Sequence, residues 1–460
     1  MSAPVPNPSL SGVPFTGDFK EHFKWLFPPE ACFRLFAAHG PRRRGARKLS
    51  SWQWLMARVH HALARAGTFA THVKQITGIS LSDSALSQRG QSIGWKLLAE
   101  ALPAILRPLA EKERHPEAFH QGLRLVAVDG TRFNLRNTGA INREAHKRRN
   151  SKGNGQPAFA QLLAVVLVEL GQHQPLAATL GWQGEGEMTL ARELFASREL
   201  PARSLLLADR LFGSPWLLWD LQPRLESAGS HYLVRVKDNI KVVVKDRLAD
   251  GSSLVDLPVR DPATRRKQGY LAAREIRATL TLAAGGKSVK IRLWTSLLDE
   301  QRYPALELVE LYARRWEQEL FFRELKESLG PRGKALDAQT PESAAQEVLA
   351  RLMGASLIAA QRAAVADHAG VEVLRISYAQ VLEGTMALSR AFELSHDLIG
   401  NPQREEWARR LLAQLAETAV IPKRKPRSCQ RAVRQPVKDW PKMRTPTSMP
   451  LIYSISLDNP

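Results

Sequence analysis

The stretch from Glu307 to Leu329 reads ELVELYARRWEQELFFRELKESL. It predicts one continuous helix, because it contains no Pro or Gly and the chain continues with Gly330-Pro331. At 3.6 residues per turn, four polar side chains fall on one stripe about a sixth of the circumference wide: Tyr312, Arg315, Glu319 and Lys326. Apolar residues flank this stripe on both sides, which is unusual for a face that only meets solvent. Taken alone, Arg315 and Glu319 are equally compatible with an ordinary surface ion pair one turn apart.

The composition is strongly basic. The 460 residues carry 66 Lys and Arg against 45 Asp and Glu, a formal net charge of +21. Such an excess indicates a polyanionic partner, most often nucleic acid. No apolar run approaches the length of a membrane-spanning helix and no secretory signal is visible, so we expect no membrane partner. Two distant cysteines, Cys32 and Cys429, fit a reducing cytoplasm and no disulfide framework.

Residues 1–119 predict a helical N-terminal region that binds DNA. Apolar residues recur there at three- and four-residue spacing from Phe19 onward. Within this region, Gly78 is suited to end one helix, and Ser82 or Asp83 to cap the next. Two helices around a turn are compatible with a helix-turn-helix that reads a DNA groove, although the same arrangement is common in helical domains of other kinds.

Residues 120–340 predict a catalytic domain of the α/β class. Three apolar segments suggest strands, then a helix follows from Glu187, and the fourth strand is SLLLADRLF. This is the order of a ribonuclease-H-like core, a mixed sheet flanked by helices. Asp129 and Asp209 stand where the apolar runs of the first and fourth strands end. Asp129 alone is equally well explained as a turn residue in Val-Asp-Gly-Thr.

The rest of the chain divides by composition. Residues 239–293 alternate apolar and polar side chains between turn signals and predict an antiparallel β insertion in the catalytic domain. Residues 341–420 predict a C-terminal helical region. Residues 421–460 are basic and Pro-rich and predict a tail that binds phosphates.

Three carboxylates from these segments form a candidate metal site: Asp129, Asp209 and Glu319. Two strands and one helix can bring such groups around two divalent cations, which stabilise the attacking and leaving oxygens of phosphoryl transfer. Hard oxygen ligands favour Mg²⁺, and Mn²⁺ is expected to substitute for it. Arg315, Lys326 and Tyr312 on the same helix stripe are then expected to contact DNA phosphates.

These residues resemble a known family, the DDE transposases of bacterial insertion sequences, in the group with a Y-(2)-R-(3)-E-(6)-K signature. Tyr312, Arg315, Glu319 and Lys326 stand at the required spacing, and the motifs VDGT around the first aspartate and LADR around the second also resemble the family. The resemblance implies that transposon ends are cut by activated water and that the free 3′-hydroxyl then attacks DNA. It also implies a homodimer on double-stranded DNA, at the nucleoid of a bacterial cytoplasm.

Further positions follow from the resemblance. Arg210, beside the second aspartate, and Arg148 and Arg149 in a basic loop are expected to contact DNA. The tryptophan on which well-understood members stack a flipped base has Ile291 in its place, with Trp294 nearby, while Trp182 and Trp316 are expected in the core. Two other functions stay open: an inactive or domesticated DNA-binding relative, and a metal-dependent nuclease that does not rejoin ends.

Overall fold

The computed structural model describes residues 15–39, 48–64, 66–144, 159–182, 184–282, 288–329, 335–395 and 398–422, together with the backbone of 453–457. The chain forms two compact units. The first comprises Met1–Leu206, Ala228–Ser230 and Arg315–Ile421, and the second comprises Leu207–Ser227, His231–Arg314 and Pro422–Pro460. The helices before residue 119 and those after residue 341 therefore belong to the same unit. The predicted domain boundaries are drawn differently and stay predictions.

The first unit holds most of the helices. They are α1 (Phe19–Leu26), α2 (Pro29–His39), α3 (Ser51–Leu63), α4 (Phe69–Thr77), α5 (Asp83–Ile93), α6 (Trp95–Ile105), α7 (Gly139–Glu144), α8 (Glu187–Ser197), α11 (Trp316–Arg323), α12 (Pro341–Ala369), α13 (Tyr378–Leu394) and α14 (Asn401–Thr418). The turn between α4 and α5 agrees with the sequence prediction. Gly78 ends α4 in the left-handed conformation at φ +75°, and the Ser82 hydroxyl caps α5 by accepting from the Ala85 amide.

The strands of the first unit are antiparallel and packed against helices. They are β1 (Phe119–His120), β2 (Leu123–Leu135), β3 (Ala160–Glu169) and β4 (Gln174–Gly181), while β5 (Ser204–Ala208) crosses the boundary between the units. β2 pairs with β3 along ten positions, and Asp129 stands opposite Val166. Nine of the ten residues of β3 are buried, because β3 lies between β2 and β4 and helix α8 covers it.

Helix α12 runs through the core of the first unit. It begins at a capping box formed by Thr340 and Ser343 and ends at Gly370, which adopts the left-handed conformation. By length and composition α12 is apolar enough to cross a membrane, but 94% of its most apolar window is buried inside the protein. Its neighbours include α3, α6, α13, α14 and β4. The apolar character of α12 is therefore that of a core helix.

Among its described residues, the second unit contains an antiparallel sheet and two α-helices. Its elements are α9 (Pro215–Ser227), β6 (His231–Arg235), β7 (Val243–Arg247), β8 (Ser253–Arg260), β9 (Lys267–Leu282), β10 (Val289–Thr295), α10 (Ala305–Tyr312) and β11 (Tyr453–Leu457). The strands pair in the order β6-β10-β9-β8-β7, and β11 pairs with the end of β9. Antiparallel strands thus fill the range 239–293, where alternation predicted them.

The helix predicted for Glu307–Leu329 is not uniform, which corrects the sequence prediction. After α10, residues Ala313–Arg315 form a 3₁₀ turn, and after α11, residues Glu324–Ser328 form a π-helical turn. A 3₁₀ turn winds the chain more tightly than an α-helix and a π turn winds it less tightly, so the angles of an ideal helix do not apply along this path. No Gly or Pro within the stretch signals either irregularity.

Candidate active site

Asp129 lies in the middle of a strand, not at its end. β2 continues for six residues beyond it, and Thr131, Phe133 and Leu135 alternate into the protein as a half-buried strand requires. The prediction that Asp129 ends its strand is therefore wrong, and so is the turn interpretation of Val-Asp-Gly-Thr. The Asp129 side chain keeps 19% of its exposure, and its Oδ1 accepts a hydrogen bond from the Gly130 amide at 2.8 Å.

Arg315 joins Asp129 to Glu319. Its Nη2 donates to Glu319 Oε1 at 3.1 Å, and its Nη1 lies 3.6 Å from Asp129 Oδ2. The arginine side chain is 13% exposed and the glutamate side chain 39% exposed. The pair one turn apart does exist, but its arginine also reaches a carboxylate on another element, which a simple surface pair would not do. The structure thus brings together one strand aspartate, one helix glutamate and the arginine between them.

Three other predicted site residues lie in the second unit. Asp209 follows directly after β5, is half-buried, and accepts a hydrogen bond from the Leu211 amide at 2.7 Å. Its neighbour Arg210 is exposed. Tyr312 ends α10 and is buried, and its hydroxyl donates to the Ala208 carbonyl at 3.2 Å. The predicted phosphate contact of Tyr312 stays a prediction. Arg148 and Arg149 lie outside the described residues.

Lys326 belongs to the first unit and stands in the π-helical turn. Its side chain is exposed, and its ammonium lies 5.6 Å from the centre of the Phe133 ring on β2. Phe133 and Asp129 both belong to β2. Lys326 therefore contacts the strand that carries Asp129. Partial burial of the charged end lowers the pKa of Lys326 below its usual value, although the residue as a whole is exposed.

Glu187 is a neighbour of the site that the sequence analysis did not single out. A Cβ at Gly130 would lie 2.6 Å from the Glu187 carboxyl carbon, and Arg132 Nη2 lies 3.9 Å from its Oε1. A larger residue at Gly130 would therefore require the Glu187 side chain, on the first turn of α8, to move. The only sequence signal is an acidic residue at a helix start, which occurs in many proteins without function.

Of the three tryptophans singled out from the sequence, Trp316 lies away from its expected place. Trp294 is fully buried, and its indole N–H donates to Glu275 Oε2 at 2.8 Å, so its ring belongs to the interior of the second unit. Trp316 was expected in the core but is 56% exposed, and the Arg315 guanidinium lies 5.9 Å from its ring centre. The 3₁₀ turn just before Trp316 changes the phase on which the core prediction depended. Trp182 is partly buried against the core, as predicted.

The donor chemistry of this site suits Mg²⁺. Asp129 and Glu319 offer carboxylate oxygens, and both side chains keep enough exposure to exchange a partner. In the part of the chain that the structure describes, no three His, Cys, Asp or Glu side chains are gathered as a metal site. The positive charge beside the two carboxylates is that of the Arg315 guanidinium, with which a divalent cation would have to compete.

Comparison with known proteins bears on these residues. The family model described as the transposase DDE domain matches residues 120–357, more than half of the chain. The chain is 27% identical over 363 residues to the transposase InsG for insertion sequence element IS4 of Escherichia coli strain K12, covering 77% of each chain. It is 29% identical over 163 residues to the putative transposase InsZ of the same organism, covering 35% of this chain and 52% of InsZ.

Among solved structures, the piggyBac transposase synaptic complex with hairpin DNA is similar over 91% of this chain and 88% of its own, with a TM-score of 0.42 and 10% identity. The matched range includes Asp129 on β2 and Glu319 on α11. The match identifies the class: the chain belongs to the transposase DDE-domain family. Within that class it is a DNA transposase of the bacterial insertion-sequence type, similar to InsG. The predicted family and the predicted general function are thereby confirmed.

Proposed function

We propose that this transposase binds the ends of its insertion element as double-stranded DNA, cuts them with Mg²⁺ and joins the freed ends to target DNA. The proposal includes a homodimer on DNA, a ribonuclease-H-like core and membership of the Y-(2)-R-(3)-E-(6)-K subgroup. The observation that carries it is the Arg315 bridge. A single guanidinium contacts carboxylates from a strand and a helix that the sequence separates by 190 positions (319 − 129).

In the proposed reaction, Asp129, Asp209 and Glu319 hold the metal ions, and Mn²⁺ substitutes for Mg²⁺. When bound, the metal supplies Lewis-acid stabilisation of the phosphoryl oxygens. Hydrolysis breaks a bond between phosphorus and O3′, which leaves a 3′-hydroxyl on one side and a 5′-phosphate on the other. That 3′-hydroxyl then attacks a target phosphodiester, forms a new bond to phosphorus and releases the O3′ of the target strand.

The basic side chains orient the DNA in this proposal. Arg315 is held beside both carboxylates, so a phosphate that enters the site can take over its donors when the metal neutralises the acids. The Lys326 ammonium lies beside Phe133 of β2 and is proposed to contact a neighbouring phosphate. Arg210, Tyr312, Arg148 and Arg149 remain proposed DNA contacts, as does the α4–α5 helix pair.

The test is cleavage and strand transfer in vitro on DNA that carries the inverted repeats flanking the gene. We expect Glu319→Gln and Asp129→Asn to abolish cleavage in Mg²⁺ and to leave end binding intact, because each removes one negative ligand at nearly constant volume. Glu327→Gln is the matched control, because Glu327 is an exposed glutamate on the same helical path. We expect this variant to cleave end DNA at the wild-type rate.

The outcomes separate the alternatives. Cleavage that survives Glu319→Gln would show that the metal site is assigned wrongly. Cleavage by the wild-type chain without joined products identifies a nuclease that does not rejoin ends. Binding to the ends without cleavage in either metal identifies an inactive DNA-binding relative.

A further inference from the structure

Gln318 stands next to Glu319 and points the other way, into the protein. Its side chain is completely buried, and its Nε2 donates to the Val166 carbonyl at 2.8 Å. Val166 is the residue of β3 that pairs in register with Asp129 on β2. One amide therefore ties the helix that carries Glu319 to the strand position directly beside Asp129.

The same amide has one polar atom that is not satisfied. The Gln318 Oε1 is buried and has no hydrogen-bond partner among the described residues. Burying an unpaired amide oxygen is unfavourable, so an apolar side chain of the same volume would suit a helix that only needed packing. The N–H donor is consequently the useful part of Gln318.

Two neighbouring contacts hold the same helical path on the turn between β3 and β4. Glu317 Oε2 accepts from the Gly171 amide at 2.7 Å, and Glu324 Oε2 lies 2.6 Å from His173 Nδ1. Glu324 also accepts from Arg362 Nη1 of α12 at 3.2 Å. These contacts lie at both ends of α11, whereas Gln318 is the one beside Glu319.

We propose that Gln318 is a positioning residue, whose amide fixes the seat of α11 on β3 so that Glu319 and Asp129 face the same cations. This inference rests on the proposed metal-dependent cleavage. Gln318 does not touch DNA or metal. It acts by holding its neighbour, because a displacement of about 1 Å at a catalytic group can lower the rate about 100-fold.

The experiment compares Gln318→Met with Gln346→Met in the full chain. Gln346 is also a buried glutamine of the first unit, and its Nε2 donates to the Gly90 carbonyl at 2.9 Å, so it matches Gln318 in burial and bonding. We expect Gln318→Met to lower the single-turnover cleavage rate about 10- to 100-fold and to raise the half-saturating Mg²⁺ concentration, with unchanged affinity for end DNA. Gln346→Met is expected to keep the wild-type rate and Mg²⁺ dependence.

Equal losses in both variants, in proportion to their thermal stability, would reduce Gln318 to an ordinary core residue and overturn the inference. Wild-type cleavage by Gln318→Met would overturn it as well. If that variant does not fold, Gln318→Asn, which keeps the amide but shortens the side chain, is expected to give the same split between rate and binding. The wild-type and Glu319→Gln proteins test the proposed function separately. If the proposed function is wrong, the wild type does not cleave or Glu319→Gln still does; if only the role of Gln318 is wrong, the wild type cleaves and Glu319→Gln does not.

Discussion

At the scale of single residues, Arg315 decides how the polar helix stripe is interpreted. Its two contacts, at 3.1 Å and 3.6 Å, convert a pair one turn apart into a bridge between elements. A guanidinium 13% exposed between two carboxylates neutralises charges that would otherwise repel each other at short range. The same position makes Arg315 a competitor of any divalent cation for Asp129 and Glu319.

Arg315→Gln should therefore separate metal binding from catalysis. We expect the half-saturating Mg²⁺ concentration to fall by roughly tenfold, because a positive charge is removed from beside the ligands. The maximal cleavage rate should also fall, because a phosphate contact is lost. Titration of cleavage with Mg²⁺ measures both quantities. Arg323→Gln, at an exposed position of the same helix, should change neither; an unchanged or higher Mg²⁺ requirement for Arg315→Gln would contradict the charge argument.

At the scale of elements, charged contacts accompany the change of winding at the π-helical turn, which begins at Glu324. Burial alone would raise the pKa of Glu324, but His173 and Arg362 outweigh it and the pKa is lowered. Arg362 also donates through Nε to the Ile376 carbonyl at 2.8 Å, so it links α11, α12 and the segment before α13. Removing one partner of a buried carboxylate is strongly destabilising, so these contacts are expected to matter for the stability of the first unit.

Arg362→Met should be among the most destabilising substitutions in the first unit. It removes the arginine partner of the largely buried Glu324 carboxylate, and breaking such a pair typically costs about 3–5 kcal/mol. Chemical unfolding followed by circular dichroism measures the change. The control is Arg390→Met on α13, whose arginine is 52% exposed in its pair with Glu393, and the expected loss there is about 1 kcal/mol or less. Similar losses in both variants would refute the importance of this network.

At the scale of the whole molecule, the histidines of the helical region make stability depend on pH. Burial lowers the pKa of His22, of His60 and of His61 to about 3 each. In the unfolded chain these groups take up protons near pH 6.5, whereas in the folded protein they stay neutral. The unfolded state thus binds more protons between those values, so stability is present above pH 6.5 and is lost as the pH falls towards 3.

His60→Leu should flatten this dependence. Removing one such group lowers the slope of the unfolding free energy by at most about 1.4 kcal/mol per pH unit in the acidic window. Urea unfolding at several values between about pH 7.5 and about pH 4.5 measures the slope. His368→Gln, at an exposed histidine near the end of α12, should leave the slope unchanged. An equal slope in wild type and His60→Leu would show that His60 does not titrate with folding.

The sequence by itself determined most element types and the family. It also predicted Asp129, Arg315 and Glu319, which the structure brings together. Alternation and helical spacing are local properties, so they predicted β7 to β10, the α4–α5 turn and the long helix α12. The spacing of Arg315 and Glu319 predicted an ion pair one turn apart, and the structure contains that pair; their role in a metal site stays a prediction.

Tertiary structure alone decided where Asp129 stands within its strand, how the helical path changes its winding, and which buried partners hold it. The place of Asp129 follows from pairing with β3, and the π-helical turn accompanies contacts of Glu324 with His173 and Arg362. The Gln318 amide donates to the carbonyl of Val166, which lies 152 positions away in the sequence. Only the folded chain brings this donor and this acceptor together. Such contacts join distant segments, and their physical effect appears only when burial raises the energetic importance of each unpaired or charged group.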